Sequence, residues 1–320
     1  MKRFCCVVCV ALGCGAMAAC GGDDSSGTPD AGSPVDAPAP PADTGPGAVD
    51  AGPCDPASPF GAPVELDYDE SGTDESEGYG RLSADERTVY FTRTGGSLDG
   101  GGGCCTAAVW MSTRAAATGS FGPAQLVANV NAGQITNAAS VSADGLTLYA
   151  LSDVPDPLNG DIVVATRSAV VAEFGVPERV GGINAAGVYD GNPYLRGDGR
   201  VLYFESDRGP VGYGLYEATL LPSGGFAEPV LVPGISGSSL VVNADGTVAY
   251  FASGKGADVW MAQRSTSTAP FGAPVELSIL NTPDEESPSW ISLDGCRLYF
   301  TRRFPMEGYA LRTYVASRAR

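Results

Sequence analysis

From residue 57 to the C-terminus, short apolar runs are broken at regular intervals by turn residues, a pattern of short strands rather than helices. The first recurring element is a small residue and an Asp-Gly turn, followed by an apolar, tyrosine-containing run. It reads Ser83-Ala84-Asp85-Glu86 with Val89-Tyr90-Phe91, then Ser142-Ala143-Asp144-Gly145 with Leu148-Tyr149-Ala150. Gly197-Asp198-Gly199 with Leu202-Tyr203-Phe204, Ala244-Asp245-Gly246 with Ala249-Tyr250-Phe251, and Leu293-Asp294-Gly295 with Leu298-Tyr299-Phe300 complete the set. The aspartates lie 59, 54, 47 and 49 residues apart, a period that marks a repeat architecture. Asp-Gly supplies the positive φ of a tight hairpin, and the flanking apolar stretches make its two strands.

A second apolar element follows in each repeat: Val109-Trp110-Met111, Asp161-Ile162-Val163, Gly214-Leu215-Tyr216, Asp258-Val259-Trp260 and Tyr309-Ala310-Leu311. Three of these strands run on to Arg114, Arg167 or Arg264. The third element is Phe-Gly-x-Pro, seen at Phe60-Gly61-Ala62-Pro63, Phe121-Gly122-Pro123, Phe174-Gly175-Val176-Pro177, Phe226-Ala227-Glu228-Pro229 and Phe271-Gly272-Ala273-Pro274. Proline cannot donate to a ladder, so this element is read as the outermost strand. Each unit then has strands a, b, c and d, with a before the Asp-Gly turn. Strand d occurs once before the first a and is missing after the last c. The expectation is an all-β fold: a β-propeller of five four-stranded blades, closed by the N-terminal strand completing the last blade.

The Asp-Gly-x-x-Leu-Tyr-Phe pattern and the Asp-Ile-Trp-like second element resemble the PD40 repeats (WD40-like, TolB-type) over about residues 57–318. The stretch from Asn281 to Pro288 fits the pattern closely, whereas Gly234 to Ser239 has lost the acids. The resemblance implies a scaffold for contact with a protein or small ligand, not a defined reaction.

Residues 1–19 read as a signal peptide: Lys2 and Arg3 precede an uncharged apolar run from Phe4 to Ala19, too short for a comfortable membrane span. Met17-Ala18-Ala19-Cys20 resembles the lipobox of bacterial lipoproteins, which implies cleavage before Cys20 and its lipidation. Two acyl chains on Cys20 anchor a protein stably. Residues 20–56 hold only Val35 and Val49 as branched aliphatics and no aromatic residue. That composition reads as an extended Pro/Ala/Gly/Asp-rich tether, leaving 57–320 for the propeller. The expected location is the cell envelope, at the outer membrane or cell surface.

Charge and composition narrow the chemistry. There are 37 acidic and 19 basic residues, a net charge of −18, and no histidine. The charge repels nucleic acid and anionic lipid. The missing histidine removes Ser-His-Asp and Cys-His catalysis and the commonest zinc ligand. No catalytic constellation is legible, so the chain is read as a noncatalytic, monomeric scaffold for an envelope protein or small ligand. It contacts the bilayer only through Cys20.

The d–a loops are expected at one channel mouth and carry Asp69, Glu70, Asp74, Glu75 and Glu77, then Asp190, then Asp284, Glu285 and Glu286. They read either as solvated loop acids or as a rim for a cationic partner. The sole ion they suggest is Ca²⁺, which takes oxygen ligands, and no other cofactor is implied. Two other classes stay open: a carbohydrate-active propeller using paired channel carboxylates, and a Ca²⁺-dependent adhesion module. No strand a is expected to carry an inward carboxylate, which counts against the enzyme. The repeated aspartates belong to hairpins, and Trp110, Trp260 and Trp290 are expected between blades.

Four cysteines besides Cys20 remain in the exported chain: Cys54, Cys104, Cys105 and Cys296. Cys296 follows the last Asp-Gly turn and Cys54 precedes the closing strand on the same face, while Cys104 and Cys105 fall on the other. A Cys54–Cys296 disulfide is therefore predicted.

Overall fold

The computed structural model describes residues 54–68, 76–94, 107–131, 136–153, 159–209, 212–307 and 310–319. Strand β1 (Val64–Leu66) comes first. Blade one is β2 (Ser76–Leu82), β3 (Thr88–Thr94), β4 (Ala107–Thr113) and β5 (Gln125–Leu126). Blade two is β6 (Thr136–Val141), β7 (Thr147–Ser152), β8 (Asp161–Thr166) and β9 (Glu178–Arg179). Blade three is β10 (Asp190–Leu195), β11 (Val201–Gly209), β12 (Gly212–Thr219) and β13 (Val230–Leu231). Blade four is β14 (Ser238–Val242), β15 (Val248–Ser253), β16 (Asp258–Gln263) and β17 (Val275–Glu276). Blade five is β18 (Glu285–Ile291), β19 (Arg297–Phe304) and β20 (Ala310–Ser317), completed by β1 pairing antiparallel beside β20. Each blade packs on the next and blade five packs on blade one. The chain is a five-bladed β-propeller with the closure its repeat predicts.

Strand b supplies the wall between blades. Phe91, Phe204, Phe251 and Phe300 are fully buried, as are Tyr90, Tyr203 and Tyr250. Both faces of a blade are covered, so these strands read as continuous apolar runs, and each buried ring contributes roughly 1.5–3 kcal/mol. The Asp-Gly turns hold themselves: Ser292 Oγ donates to Asp294 Oδ1 at 2.6 Å, and the Cys296 N–H donates to the same oxygen at 3.0 Å. Gly145, Gly199, Gly246 and Gly295 take φ near +70 to +78°.

The Phe-Gly-x-Pro element leads into strand d rather than forming it. The residue after each phenylalanine donates its N–H to the C-terminal end of strand c, as in Gly122 to Thr113 at 2.9 Å and Gly272 to Gln263 at 2.8 Å. The two or three residues that pair as strand d follow the proline. The phenylalanine itself turns inward beneath an arginine. Arg264 Nε donates to the Gly246 carbonyl at 2.6 Å, Nη1 to the Ala269 carbonyl at 3.4 Å and Nη2 to the Tyr203 hydroxyl of the preceding blade at 3.1 Å. Its guanidinium lies 4.2 Å from the Phe271 ring centroid. Arg114, Arg167 and Arg318 repeat this stack over Phe121, Phe174 and Phe60 at 4.4, 4.3 and 4.4 Å.

Arg318 corrects the expected register of blade five. Tyr314 pairs with Phe300 as Trp110 pairs with Phe91, so the second element is centred on Tyr314, not on Ala310. Strand c extends to Ser317 before its arginine, and Tyr309 lies outside the described residues. Blade three has Leu220 in place of the arginine, bridged to Phe226 and packed in one apolar cluster with Tyr149. Blade one departs differently: Glu86 stands where glycine usually follows the aspartate, at φ +57°. Its carboxylate accepts from Arg297 Nε at 2.7 Å and from the Tyr299 hydroxyl at 2.8 Å, tying blade five to blade one.

Cys54 and Cys296 are joined by a disulfide, with Cα atoms 5.2 Å apart. The Cys54 N–H also donates to the Asp294 carbonyl at 2.7 Å. The chain therefore enters the propeller on the face that carries the a–b turns. Replacing both cysteines by serine is expected to lower stability by about 3–5 kcal/mol, since the bond closes most of the ring. Denaturant unfolding measures it; a double variant as stable as the parent refutes it. Arg264→Met, which leaves a buried hydroxyl and two carbonyls without their donor, is expected to cost about 2–4 kcal/mol in the same assay.

Candidate functional site

The antiparallel order places the d–a and b–c connections on one face and the a–b and c–d turns on the other. We call the former distal, because Cys54 lies on the latter. Each innermost strand starts at the distal face and runs down the channel.

Of the five acids expected in the distal loops that are described, four lie in strands instead. Glu77, Asp190, Glu285 and Glu286 lie within the first residues of strand a. The ladder reaches them because basic residues stand across or nearby on strand b: Glu77 faces Arg93, Glu286 faces Arg302 and Glu285 faces Arg303 in register. Cross-strand charge pairs support such extensions. Asp190 and Glu286 are completely buried, overturning the expectation that no strand a carries an inward carboxylate. Asp190 pairs with Arg208, Glu286 with Arg302 at 2.8 Å, and Glu77 with Arg93 Nε at 3.0 Å. These arginines stack on rings in turn, Arg93 4.4 Å from Trp110 and Arg302 4.4 Å from Tyr314. Asp284 stays in the connection, where its N–H donates to the Thr282 hydroxyl oxygen at 3.2 Å. Asp69, Glu70, Asp74, Glu75, Cys20, Cys104 and Cys105 lie outside the described residues. Among the described residues no three His, Cys, Asp or Glu side chains are grouped to hold a metal ion.

Further down the channel every strand a carries a bulge, a slip in its pairing with strand b. In four blades the bulged residue is left-handed without being glycine: Tyr79, Ala138, Asn192 and Ser239, at φ +57, +50, +48 and +54°. Such strain persists only where neighbours hold it. At Tyr79, Ala138 and Ser239 the holding group comes from strand b of the preceding blade. Thr301 Oγ1 accepts the Tyr79 N–H at 2.7 Å, and Thr92 Oγ1 accepts the Ala138 N–H at 3.0 Å. Both threonines stand two residues after the repeated tyrosine, where blades two and four have Leu151 and Ala252. Blade three has Glu205.

Glu205 is 3% exposed. Its Oε1 accepts the Ser239 N–H at 2.6 Å and Asn192 Nδ2 at 2.8 Å, and its Oε2 accepts the Tyr213 hydroxyl. All three donors are neutral. Burial pushes its pKa above the usual carboxylate range, against the lowering effect of these bonds and of Arg81. Tyr213 and Tyr189 stack above it, centroids 6.3 Å apart and 22° from parallel. Tyr213 is 40% exposed, and the buried Tyr189 hydroxyl has no hydrogen-bond partner among the described residues. A Cβ at Gly191 would collide with that hydroxyl, so glycine is what lets Tyr189 lie over strand a.

Arg81 closes the channel beneath. It is 2% exposed and donates to the Ser289 carbonyl at 3.1 Å, the Ala138 carbonyl at 2.6 Å, the Pro193 carbonyl, and Asn192 Oδ1 at 2.6 Å. One side chain of blade one thus ties blades two, three and five. Desolvation lowers its pKa to about 10, which leaves it charged at neutral pH. Sequence reading missed both Arg81 and Glu205. The signal for Glu205 was present as one acid among Thr92, Leu151, Ala252 and Thr301 at a fixed repeat position.

No protein-family model and no curated protein sequence matches the chain. Among solved structures it is similar to RS223-Beta-xylosidase at 14% identity, covering 80% of this chain and 94% of that one with TM-score 0.53. It is also similar to Zg3597, a family 117 glycoside hydrolase from Zobellia galactanivorans, at 13% identity, covering 81% and 90% with TM-score 0.52. TolB from Acinetobacter baumannii shares 15% identity over 76% of this chain, with TM-score 0.45, and the chain spans 55% of TolB's length. Likeness at this level concerns the fold alone, and the five four-stranded sheets of the chain define its class, a five-bladed β-propeller.

A carboxyl with a raised folded-state pKa binds its proton more tightly in the native protein. Stability therefore falls as pH climbs from the unfolded value toward the folded one. Glu286 is shifted the same way, also by burial. Glu205→Gln removes one of the two contributions; its carbonyl oxygen keeps the two bonds made at Oε1, and its NH2 donates to the Tyr213 hydroxyl in place of accepting from it. It is expected to raise the unfolding temperature at pH 8 by about 2–4 °C and to leave it unchanged below about pH 4, where both carboxyls are protonated. A scanning-calorimetry profile parallel to that of the parent across this range would contradict the assignment.

Proposed function

We propose that the protein is a lipid-anchored cell-envelope scaffold that binds an envelope protein or small ligand at its distal mouth and catalyses no reaction. The observation that carries this reading is the entry of the chain at Cys54 on the a–b face. A tether leading back to a lipidated Cys20 then leaves from one end of the channel, and the tyrosine-lined mouth is presented at the other. The arrangement of the carboxylates supports binding over catalysis. Glycoside hydrolysis needs an acid and a second carboxylate at a defined separation. Glu77, Asp190 and Glu286 are each held by an arginine, which takes these three out as a second carboxylate for Glu205.

Two measurements test the proposal. Cys20→Ala is expected to move the protein out of the membrane fraction or leave it unprocessed, with the acyl mass lost; unchanged fractionation and mass remove the anchor. A photo-reactive residue at Met306, 94% exposed on a distal connection, is expected to crosslink in cells to one discrete species. The same group at Val171, 98% exposed on the opposite face, is not. Equal, diffuse labelling from both positions removes the scaffold.

A further inference from the structure

We infer that the mouth above Glu205 is a binding site for an ammonium group, carried by a free aliphatic amine or by a lysine side chain of a partner. The inference deepens the scaffold reading by giving its mouth a ligand chemistry, and it rests on that reading.

Glu205 is the exception among the buried acids. Glu86 is paired with Arg297, Asp161 with Arg179, Asp190 with Arg208 and Glu286 with Arg302. Glu205 has no ion pair among the described residues; Arg81 acts on it through space and is joined to it by hydrogen bonds only by way of the Asn192 amide. The fold does not need a carboxylate there, because Thr92 and Thr301 hold the equivalent bulges with a hydroxyl. A buried carboxylate without a cation is costly unless one arrives. What surrounds it suits an arriving ammonium. The Tyr189 and Tyr213 rings are stacked at the entrance, and aromatic faces beside a carboxylate attract organic cations. The Tyr79 and Tyr189 hydroxyls lie close enough to feel the Glu205 charge, and that of Tyr189 is free to accept an N–H. At Oε2 the ammonium replaces the neutral Tyr213 hydroxyl, so that a hydrogen bond from an uncharged donor gives way to one whose donor also carries the balancing charge. Tyr213, half in solvent on its hairpin, is the side chain placed to swing aside. The net charge of −18 draws cations toward the molecule.

The test uses full-length protein in detergent and titration calorimetry with three probes: n-butylammonium, its neutral analogue 1-butanol, and the peptide acetyl-Gly-Lys-Gly-amide. The expected result is millimolar binding of n-butylammonium, at least about tenfold tighter than 1-butanol, with about tenfold loss in Glu205→Gln. Tyr213→Ala, which removes one ring of the stack, serves as the second variant and is expected to weaken n-butylammonium severalfold in a protein that still unfolds cooperatively. Peptide binding as tight as that of n-butylammonium assigns the site to a lysine side chain, and binding of n-butylammonium alone assigns it to a free amine. Equal affinity for 1-butanol, parental affinity in Glu205→Gln, or no heat at about 50 mM n-butylammonium overturns the inference. If the Met306 crosslink persists without amine binding, the ammonium site falls and the scaffold stands.

Discussion

The propeller depends on a guanidinium placed at the end of strand c. In four blades one arginine covers the phenylalanine that leads into strand d, as in Arg167 over Phe174 and Arg264 over Phe271. It also saturates the carbonyls of two turns and, from Arg167, Arg264 and Arg318, reaches the tyrosine of the blade before. A two-residue outer strand cannot hold itself by ladder bonds, so the ring stacked under the arginine does that work. Where the arginine is missing, at Leu220, the same space is filled by apolar packing with Phe226 and Tyr149. Blade one shows a third solution, with Glu86 inserted between Arg114 and the Arg297–Tyr299 pair of blade five.

Blade number, closure and strand order were legible because they are carried by local punctuation: an aspartate in a turn, a proline that cannot sit mid-sheet, one unpaired strand at each end of the repeat. The register of blade five was less so. Its strand c runs from Ala310 to Ser317, and Tyr309-Ala310-Leu311 resembled the repeat well enough to hide the better-placed Tyr314 and its arginine at 318.

The candidate site was the least legible part, for a physical reason. In a half-solvated sheet a charged residue in a strand points outward, and acids clustered before an Asp-Gly turn read as loop. Here both faces of every blade are covered, so a charge in a strand must find a partner inside. Those partners are remote in sequence: Arg93 for Glu77, Arg302 for Glu286, and for Arg81 the backbones of three other blades. Glu205 sits in the middle of an apolar run, where only comparison across the five repeats makes it conspicuous.

The position of the disulfide also sets how the molecule bears load. Tension on the chain before Cys54 would otherwise fall on the Phe60 bridge and the three paired residues Val64–Leu66. Those bonds would peel open one after another, and the ring would lose its closing strand. Because Cys54 is bonded to Cys296, the force passes instead into the start of Arg297–Phe304, an inner strand paired on both sides along its length. There it must be resisted by many hydrogen bonds at once, so the propeller hangs from its interior while its seam carries none of the pull.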